Sequence, residues 1–545
     1  METTIKGTCN ELAELLSLYG VRQVVVSPGS RNTPLIIALS RALKFDMHAV
    51  IDERSAAFIG MGMAMQCGEP VALICTSGSA VLNYAPAVAE AFYRQVPLIV
   101  ISADRPADRI DQDDNQTIHQ HGALSGIVKT TVSVTDNWIT ESEHSFINRK
   151  INDALHTATD IRKGPVHINV HIAEPLNTVC DIKPRPVRKI TTVNECGTPL
   201  SLSLTDEITN KISSSRILIV CGFMRPSKSL NDLLIKLSYK TPVFAEGVSN
   251  IHGGLIINDI DEYLATGLTP VPDIVITFGG ALISRYLKEK IKKLGCEHWL
   301  VGSREVFADT FGTLTASLDC SETEFAEFLL SRIKPATFET MEIKNDAFFN
   351  SAAWSDIAAC EYMCRNVPQN YSVHLSNGMT VRYCQNRLNV KDIECNRGVS
   401  GIDGCASTAL GHSTLNDSPT LLITGDMCMQ YDLAALSSNL VTPKFKIIVI
   451  CNSDGGIFRI IKSTRDVKGL NQYISPKVNL PLDMLAPAYG FKYFEATEME
   501  ELKSVFCKFI AEASQPAILA VKTDSDVSAK VWLDYLKFCK ERNKN

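Results

Sequence analysis

The stretch IVICNSDGGIF, Ile448–Phe458, decides how the chain is read. An apolar, β-branched run suited to a buried strand breaks off into Asn-Ser-Asp-Gly-Gly. Those residues stop a strand and offer side-chain and main-chain oxygens at its carboxyl end, where ligands sit in open α/β sheets. Taken alone, the stretch also fits an ordinary strand-to-loop turn.

Upstream, PTLLITGDMCMQYDLAAL (Pro419–Leu436) repeats the pattern. Another apolar strand ends at Gly425-Asp426, and a helix is predicted from about Tyr431. In a right-handed strand–helix–strand unit the two strands are parallel, so Asp426 and Asn452 open on the same edge of the sheet. A carboxylate, an amide oxygen and a nearby main-chain carbonyl form an all-oxygen set. Such a set suits Mg²⁺, which takes few protein ligands and completes its octahedron with phosphate oxygens and water. Gly455 and Gly456 let the backbone approach a diphosphate closely.

Working outward, three blocks of alternating strand and helix patterns separate. The first holds RQVVVSPGS, PVALICTSG, VPLIVISADRP and GPVHINVHI, with helical stretches such as SAAFIGMGMAMQ and SAVLNYAPAVAEAFYRQ between them. The second runs through RILIVCG, PVFAEG, DIVITFGG and EHWLVG. The third holds NYSVHLSNG, the two stretches above and PAILAVKTD. DIKPRPVRKITTV reads as a linker, and the charged stretch SRIKPATFETMEIKND leads into the last block. The alternation predicts three consecutive parallel-sheet α/β domains, over residues 1–180, 196–335 and 350–545.

Bulk properties agree with a multidomain globular chain: 545 residues, 45% hydrophobic and 21% charged. A net charge of −6 gives no electrostatic case for nucleic acid or an anionic membrane, so an anionic substrate must be caught by local arginines. The first twenty residues lack the cationic start and apolar block of a signal peptide, and no stretch approaches a membrane span. The 17 cysteines are scattered, many of them in apolar runs, as buried thiols of a reducing cytoplasm would be. Cys360 and Cys364 fall on one face of a helix with no matching second pair.

The Gly-Asp…Asn pair resembles the diphosphate-binding motif of thiamine-diphosphate enzymes. Met427 stands where that motif usually has glycine, and Cys451-Asn452 where it usually has Asn-Asn. The resemblance implies that Gly425, Asp426, Asn452 and Gly455 bind the cofactor, with Asp426, Asn452 and the main-chain oxygen of Asp454 on Mg²⁺ or Mn²⁺. This cofactor also needs a carboxyl group against its aminopyrimidine nitrogen. In FDMHAVIDERSAAFIGMGMA, Glu53 opens a small-residue helix and fits that role; read alone, it is a helix N-terminal carboxylate favoured by the dipole.

The runs VVVSPGSRNTPL, IDERSAAFIGMGMA, TSGSAVLNYAPAVAEA, ISADRP, DNQTIHQHG, NRGVSGIDGCAST and GGIF are together similar to one family. It is the 2-succinyl-5-enolpyruvyl-6-hydroxy-3-cyclohexene-1-carboxylate synthases, thiamine-dependent carboligases of menaquinone biosynthesis. The resemblance covers the first and third blocks well and the middle block weakly. It implies decarboxylation of 2-oxoglutarate and addition of the resulting unit to isochorismate. Both substrates are dianions, and guanidinium groups grip carboxylates in a fork that lysine cannot copy.

By this resemblance Arg31, Arg105, Asn115, Gln116, Arg285, Arg382 and Arg397 face substrate, with Glu53, Arg31, Gln116 and Arg397 catalytic. Ile402 wedges between the cofactor rings, and Ile457 and Phe458 form an apolar wall beside the reacting carbon. Arg285 stands where the family usually has lysine, and Gly378 replaces a substrate-facing serine. His119 and His121 are read as orienting the DNQ loop. A cytoplasmic homodimer or homotetramer with active sites at the subunit interface is expected. Another thiamine-dependent 2-oxoacid decarboxylase or carboligase would share Glu53 and the Gly-Asp…Asn pair without needing Arg31, Arg105, Arg382 and Arg397 together. A non-catalytic nucleotide-binding protein would have no use for Glu53.

Overall fold

The computed structural model describes residues 2–182, 185–192, 206–304, 306–335, 338 and 346–542. The expected linker Asp181–Val193 and the charged stretch Ser331–Asp346 lie partly outside these residues. Each of the three sequence blocks carries its own parallel sheet, so the predicted α/β class holds. The chain divides into two compact units. The first comprises Met1–Asn194, Gly398–Thr420 and Tyr431–Phe445; the second comprises Glu195–Arg397, Leu421–Gln430 and Lys446–Asn545.

In the first unit six strands run in the spatial order Asp46–Ala49, Gln23–Val26, Val71–Cys75, Leu98–Asp104, Val166–His171 and Thr131–Thr135. The four central strands are the apolar runs of the sequence, buried on both faces as a parallel sheet under helices requires. A short antiparallel ladder joins Glu2–Thr4 to Val179–Asp181. The stretch SAVLNYAPAVAEAFYRQ is two helices, Ala80–Asn83 and Ala85–Arg94, because Pro86 is accommodated only in the first turn of a new helix.

The helix Glu53–Cys67 starts on Asp52, whose side chain accepts a hydrogen bond from Arg54 N. Its Ser55–Met65 portion is buried on every side, which explains the run of small residues. Gly62 faces the helix Cys405–Thr414 so closely that a Cβ would lie 2.1 Å from the Thr408 carbonyl oxygen. No other residue permits that approach.

In the second unit, one sheet runs Val243–Ala245, Ile217–Cys221, Ile274–Phe278, Glu297–Val301 and Leu314–Leu318. The other runs Asp392–Cys395, Ser372–Leu375, Thr420–Gly425, Phe445–Cys451, Ala517–Lys522 and Lys492–Ala496, of which only Thr420 and Phe445 are assigned to the first unit. One expectation needs correction: the helix after the Gly-Asp pair spans Asp426–Tyr431, beginning at Asp426 itself and not near Tyr431. An aspartate in a first helical turn is favoured by the dipole and accepts from the next amide, as Asp426 does from Met427 N.

Cys360 and Cys364 share the buried face of the helix Asp356–Asn366, and both thiols meet Cys384 in the core. Among the described residues every cysteine is a free thiol, and no helix is long and apolar enough to cross a membrane.

Candidate functional site

The opening stretch forms the end of Phe445–Cys451 and the turn beyond it. Asp426 is 3% exposed, and its two oxygens accept from Met427 N at 2.7 Å and Ser453 N at 2.6 Å. The second contact ties the end of one strand to the turn after its neighbour, which places Asp426 and Asn452 on one edge of the sheet. Burial pushes the Asp426 carboxyl up to about 7, against the two amide hydrogen bonds; nearby Asp356 and Asp454 add to the rise. A cation on this carboxylate would relieve that cost.

Asn452 Oδ1 accepts from Asp454 N at 3.1 Å, and its Nδ2 donates to Asp356 Oδ2 at 2.7 Å. The Asp454 carboxylate turns away to Arg459, Ser475 and Ser525, so only its main-chain oxygen remains for a metal. One carboxylate, one amide oxygen and one carbonyl fit a hard dication that takes its other ligands from phosphate and water. Among the described residues no group of three or more His, Cys, Asp or Glu side chains forms a separate metal site. A Cβ on Gly455 would lie 2.8 Å from the Phe458 ring and 3.0 Å from Ser475 Oγ, so the turn closes only with glycine there. Ile457 and Phe458 follow on a short helix, Ile457–Ile460, both half-buried.

In the first unit, Glu53 occupies the first residue of its helix and is half-buried. Cys75 and the buried Tyr84 lie within electrostatic reach, and burial raises both of those groups. Ile402, half-buried, lies two residues before Gly404, whose φ is +66°. The loop just before it is pinned by the buried Glu90, whose carboxylate accepts from Gly398 N at 2.7 Å and Val399 N at 2.6 Å. Nothing in the sequence around Glu90 distinguished it from a surface helix residue.

Arg31 is 4% exposed; its Nη1 donates to Ile172 O at 3.0 Å, and its Nη2 pairs with Glu174 at 3.1 Å. Burial, then the neighbouring Arg105, lowers its pKa. Arg105 reaches Asp114 at 3.8 Å. The Nε of each of these two arginines is buried with no partner among the described residues, so each keeps a donor for an incoming anion.

Asn115 and Gln116 are exposed on an irregular loop, with Gln116 at φ +55° beside Gly78. That loop is anchored by Gln120, which the sequence reading missed: it accepts from Gly78 N at 2.7 Å and donates to Asn169 Oδ1 at 2.9 Å. His119 pairs with Asp111 at the surface and His121 with Ser133.

The remaining arginines belong to the second unit. Arg397 Nη1 donates to Asn377 Oδ1 at 2.9 Å and Nη2 to Leu282 O at 3.3 Å. Arg382 donates to Gly378 O, and Gly378 has φ +93° and ψ −137°, a region closed to serine without strain. The glycine departure is therefore a backbone requirement in this chain. Arg285, exposed, and Lys288 open the helix Arg285–Leu294.

Glu246, 1% exposed, caps this region by accepting from Ile283 N at 2.8 Å and Ser284 N at 2.7 Å. Burial pushes Glu246 up to about 7 and Asp261 to about 6. Burial, then Arg397, lowers Arg382.

The family model described as thiamine pyrophosphate enzyme, N-terminal TPP binding domain, matches residues 8–124. The 2-succinyl-5-enolpyruvyl-6-hydroxy-3-cyclohexene-1-carboxylate synthase of Porphyromonas gingivalis is 37% identical, over 97% of this chain and 96% of the relative. That of Flavobacterium johnsoniae is 35% identical over 96% and 98%. Among solved structures, benzoylformate decarboxylase from Polynucleobacter necessarius superposes with a TM-score of 0.70 over 96% of this chain and 99% of its own, at 16% identity, a likeness of fold.

Proposed function

The chain belongs to the 2-succinyl-5-enolpyruvyl-6-hydroxy-3-cyclohexene-1-carboxylate synthase family of thiamine-diphosphate enzymes, and on that premise we propose that it decarboxylates 2-oxoglutarate and joins the remaining unit to isochorismate, releasing CO₂ in menaquinone biosynthesis. The observation that carries this reading is 37% identity, over 97% of this chain, to a synthase of that name. Thiamine diphosphate, when bound, supplies the electron sink that a 2-oxoacid needs to lose CO₂.

The chain's own part is binding, orientation and screening. Asp426, Asn452 and the Asp454 main-chain oxygen would hold Mg²⁺ or Mn²⁺ against the diphosphate, with Gly425 and Gly455 giving close backbone approach. Glu53 would hold a proton at the pyrimidine nitrogen, and Ile402 would support the rings. Ile457 and Phe458 would keep water from the reacting carbon, where low polarity favours loss of a carboxylate. Arg31, Arg105, Asn115 and Gln116, together with Arg285, Arg382 and Arg397, would receive the carboxylates of the two substrates. We assign the enzyme to the cytoplasm as a homodimer or homotetramer with active sites at the subunit interface.

The test mixes protein, Mg²⁺ and thiamine diphosphate with 2-oxoglutarate, with and without isochorismate. Isochorismate consumption matched by CO₂ release is the expected result. CO₂ released equally without isochorismate would mark a simple decarboxylase, and neither would mark a binding protein.

A further inference from the structure

Asp356 lies far from the opening stretch in sequence and is 2% exposed in the structure. It opens the helix Asp356–Asn366, where an aspartate reads as a dipole-favoured helix residue. Its contacts say more. Trp354 Nε1 donates to Lys522 O at 2.8 Å, pinning the approach to this helix onto the end of the strand Ala517–Lys522. Asp356 N donates to Ser528 Oγ at 3.0 Å. One carboxylate oxygen accepts from Ser528 Oγ at 3.0 Å and from Thr523 Oγ1. The other accepts from Asn452 Nδ2 at 2.7 Å. Cys451 and Lys522 are register partners, so Asp356 bridges the turns beyond two adjacent strand ends.

An asparagine amide presents nitrogen on one side and oxygen on the other, and rotation by half a turn exchanges them. A cation accepts only the oxygen. A carboxylate fixed against Nδ2 has no donor of its own when ionised, so it admits one orientation of the amide. We propose that Asp356 is a positioning residue for the divalent cation: it locks Asn452 with Oδ1 turned to the metal and adds a negative charge behind it. This rests on the metal reading given above for Asp426 and Asn452. Outer partners of metal ligands act in this way, and their loss costs about 10- to 100-fold in metal affinity.

The experiment titrates Mn²⁺ into the full chain with thiamine diphosphate present, following free Mn²⁺ by electron paramagnetic resonance. Asp356→Asn should weaken Mn²⁺ by about 10- to 100-fold while leaving the circular dichroism spectrum unchanged, and excess metal should restore turnover. The reversed pair Asp356→Asn with Asn452→Asp carries the same atoms and charge, again with one donor facing one acceptor. It should recover most of the loss, and it decides the matter should the single variant not fold. Asp426→Ala separates the two layers. If Asp426→Ala abolishes Mn²⁺ binding while Asp356→Asn binds as the parent does, the inference on Asp356 is overturned alone. If Asp426→Ala also binds normally, the metal site falls with it. A reversed pair that folds but binds no Mn²⁺ overturns the inference as well.

Discussion

The two arginine sets are held in opposite ways. Arg31 and Arg105 meet a main-chain carbonyl and two carboxylates that are themselves exposed or half-exposed, Glu174 and Asp114. Arg382 and Arg397 stand in the field of Glu246 and Asp261, acids that the fold has buried. Solvent screens the exposed counter-charges of the first set. Those of the second titrate near neutrality, because desolvation holds Glu246 near 7 and Asp261 near 6. The first set meets acids that solvent reaches; the second has buried counter-charges that pH can adjust near neutrality.

The largest effect should come from replacing the guanidinium while keeping its charge. Arg31→Lys and Arg397→Lys should each lower kcat/KM by roughly 10- to 150-fold, since a charge-assisted hydrogen bond contributes about 1.5–3 kcal/mol and an ammonium cannot form the fork. Steady-state kinetics with each substrate varied in turn would measure this, and equal activity in either variant would remove that arginine from the site.

An intermediate effect separates the sets by pH. Deprotonating Glu246 and Asp261 adds negative charge around Arg382 and Arg397 and so weakens binding of a dianion. The KM of the substrate proposed to bind there should rise roughly fivefold between pH 5.5 and 8, for a charge interaction on the order of 1 kcal/mol at an effective dielectric near 20. Glu246→Gln should flatten that rise, whereas Glu174→Gln should not. Folding shares the sign. A carboxyl raised from 4.5 to about 7 keeps its proton in the folded state after the unfolded chain has lost it. Its contribution is therefore full below 4.5 and is lost as pH climbs through 7. The stability of the parent relative to Glu246→Gln should fall across that window in urea titrations.

The smallest effect tests the exposed counter-ion. Glu174 is 67% exposed, so Glu174→Gln should cost less than about 1 kcal/mol by thermal melting. A larger loss would mean that the first set depends on its acids as the second does.

The central strands were legible and the edges were not. Val24–Val26, Ile74, Ile99–Ile101, Ile219 and Ile447–Ile450 sit in two-sided cores and so form unbroken apolar runs. Within the three parallel sheets, five strands escaped the sequence reading: Asp46–Ala49, Thr131–Thr135, Leu314–Leu318, Asp392–Cys395 and Lys492–Ala496. All five are sheet edges, where half the backbone and part of the side-chain surface is free to be polar. Val243–Ala245 is the exception, an edge strand that the chain folds over and buries completely.

The site divides along a similar line. Glu53, Asp426 and Asn452 stood out as candidates because Glu53 and Asp426 open helices and Asn452 follows a strand end, where local pattern is strongest. Asp356, Gln120, Glu90 and Glu246 were not. Each is a buried polar residue whose partner lies 37 to 308 positions away, and nothing local records such a pairing. The arginines proposed to receive substrate came from family resemblance rather than from spacing.

The most direct test of the account is a calorimetric titration of thiamine diphosphate into protein with excess Mg²⁺, for the parent, Asp426→Ala and Glu53→Gln, each assayed for turnover. Saturable magnesium-dependent binding should be lost in Asp426→Ala and retained in Glu53→Gln, with Glu53→Gln losing most of its turnover. Unaltered cofactor affinity in Asp426→Ala, or full turnover in Glu53→Gln, would contradict it.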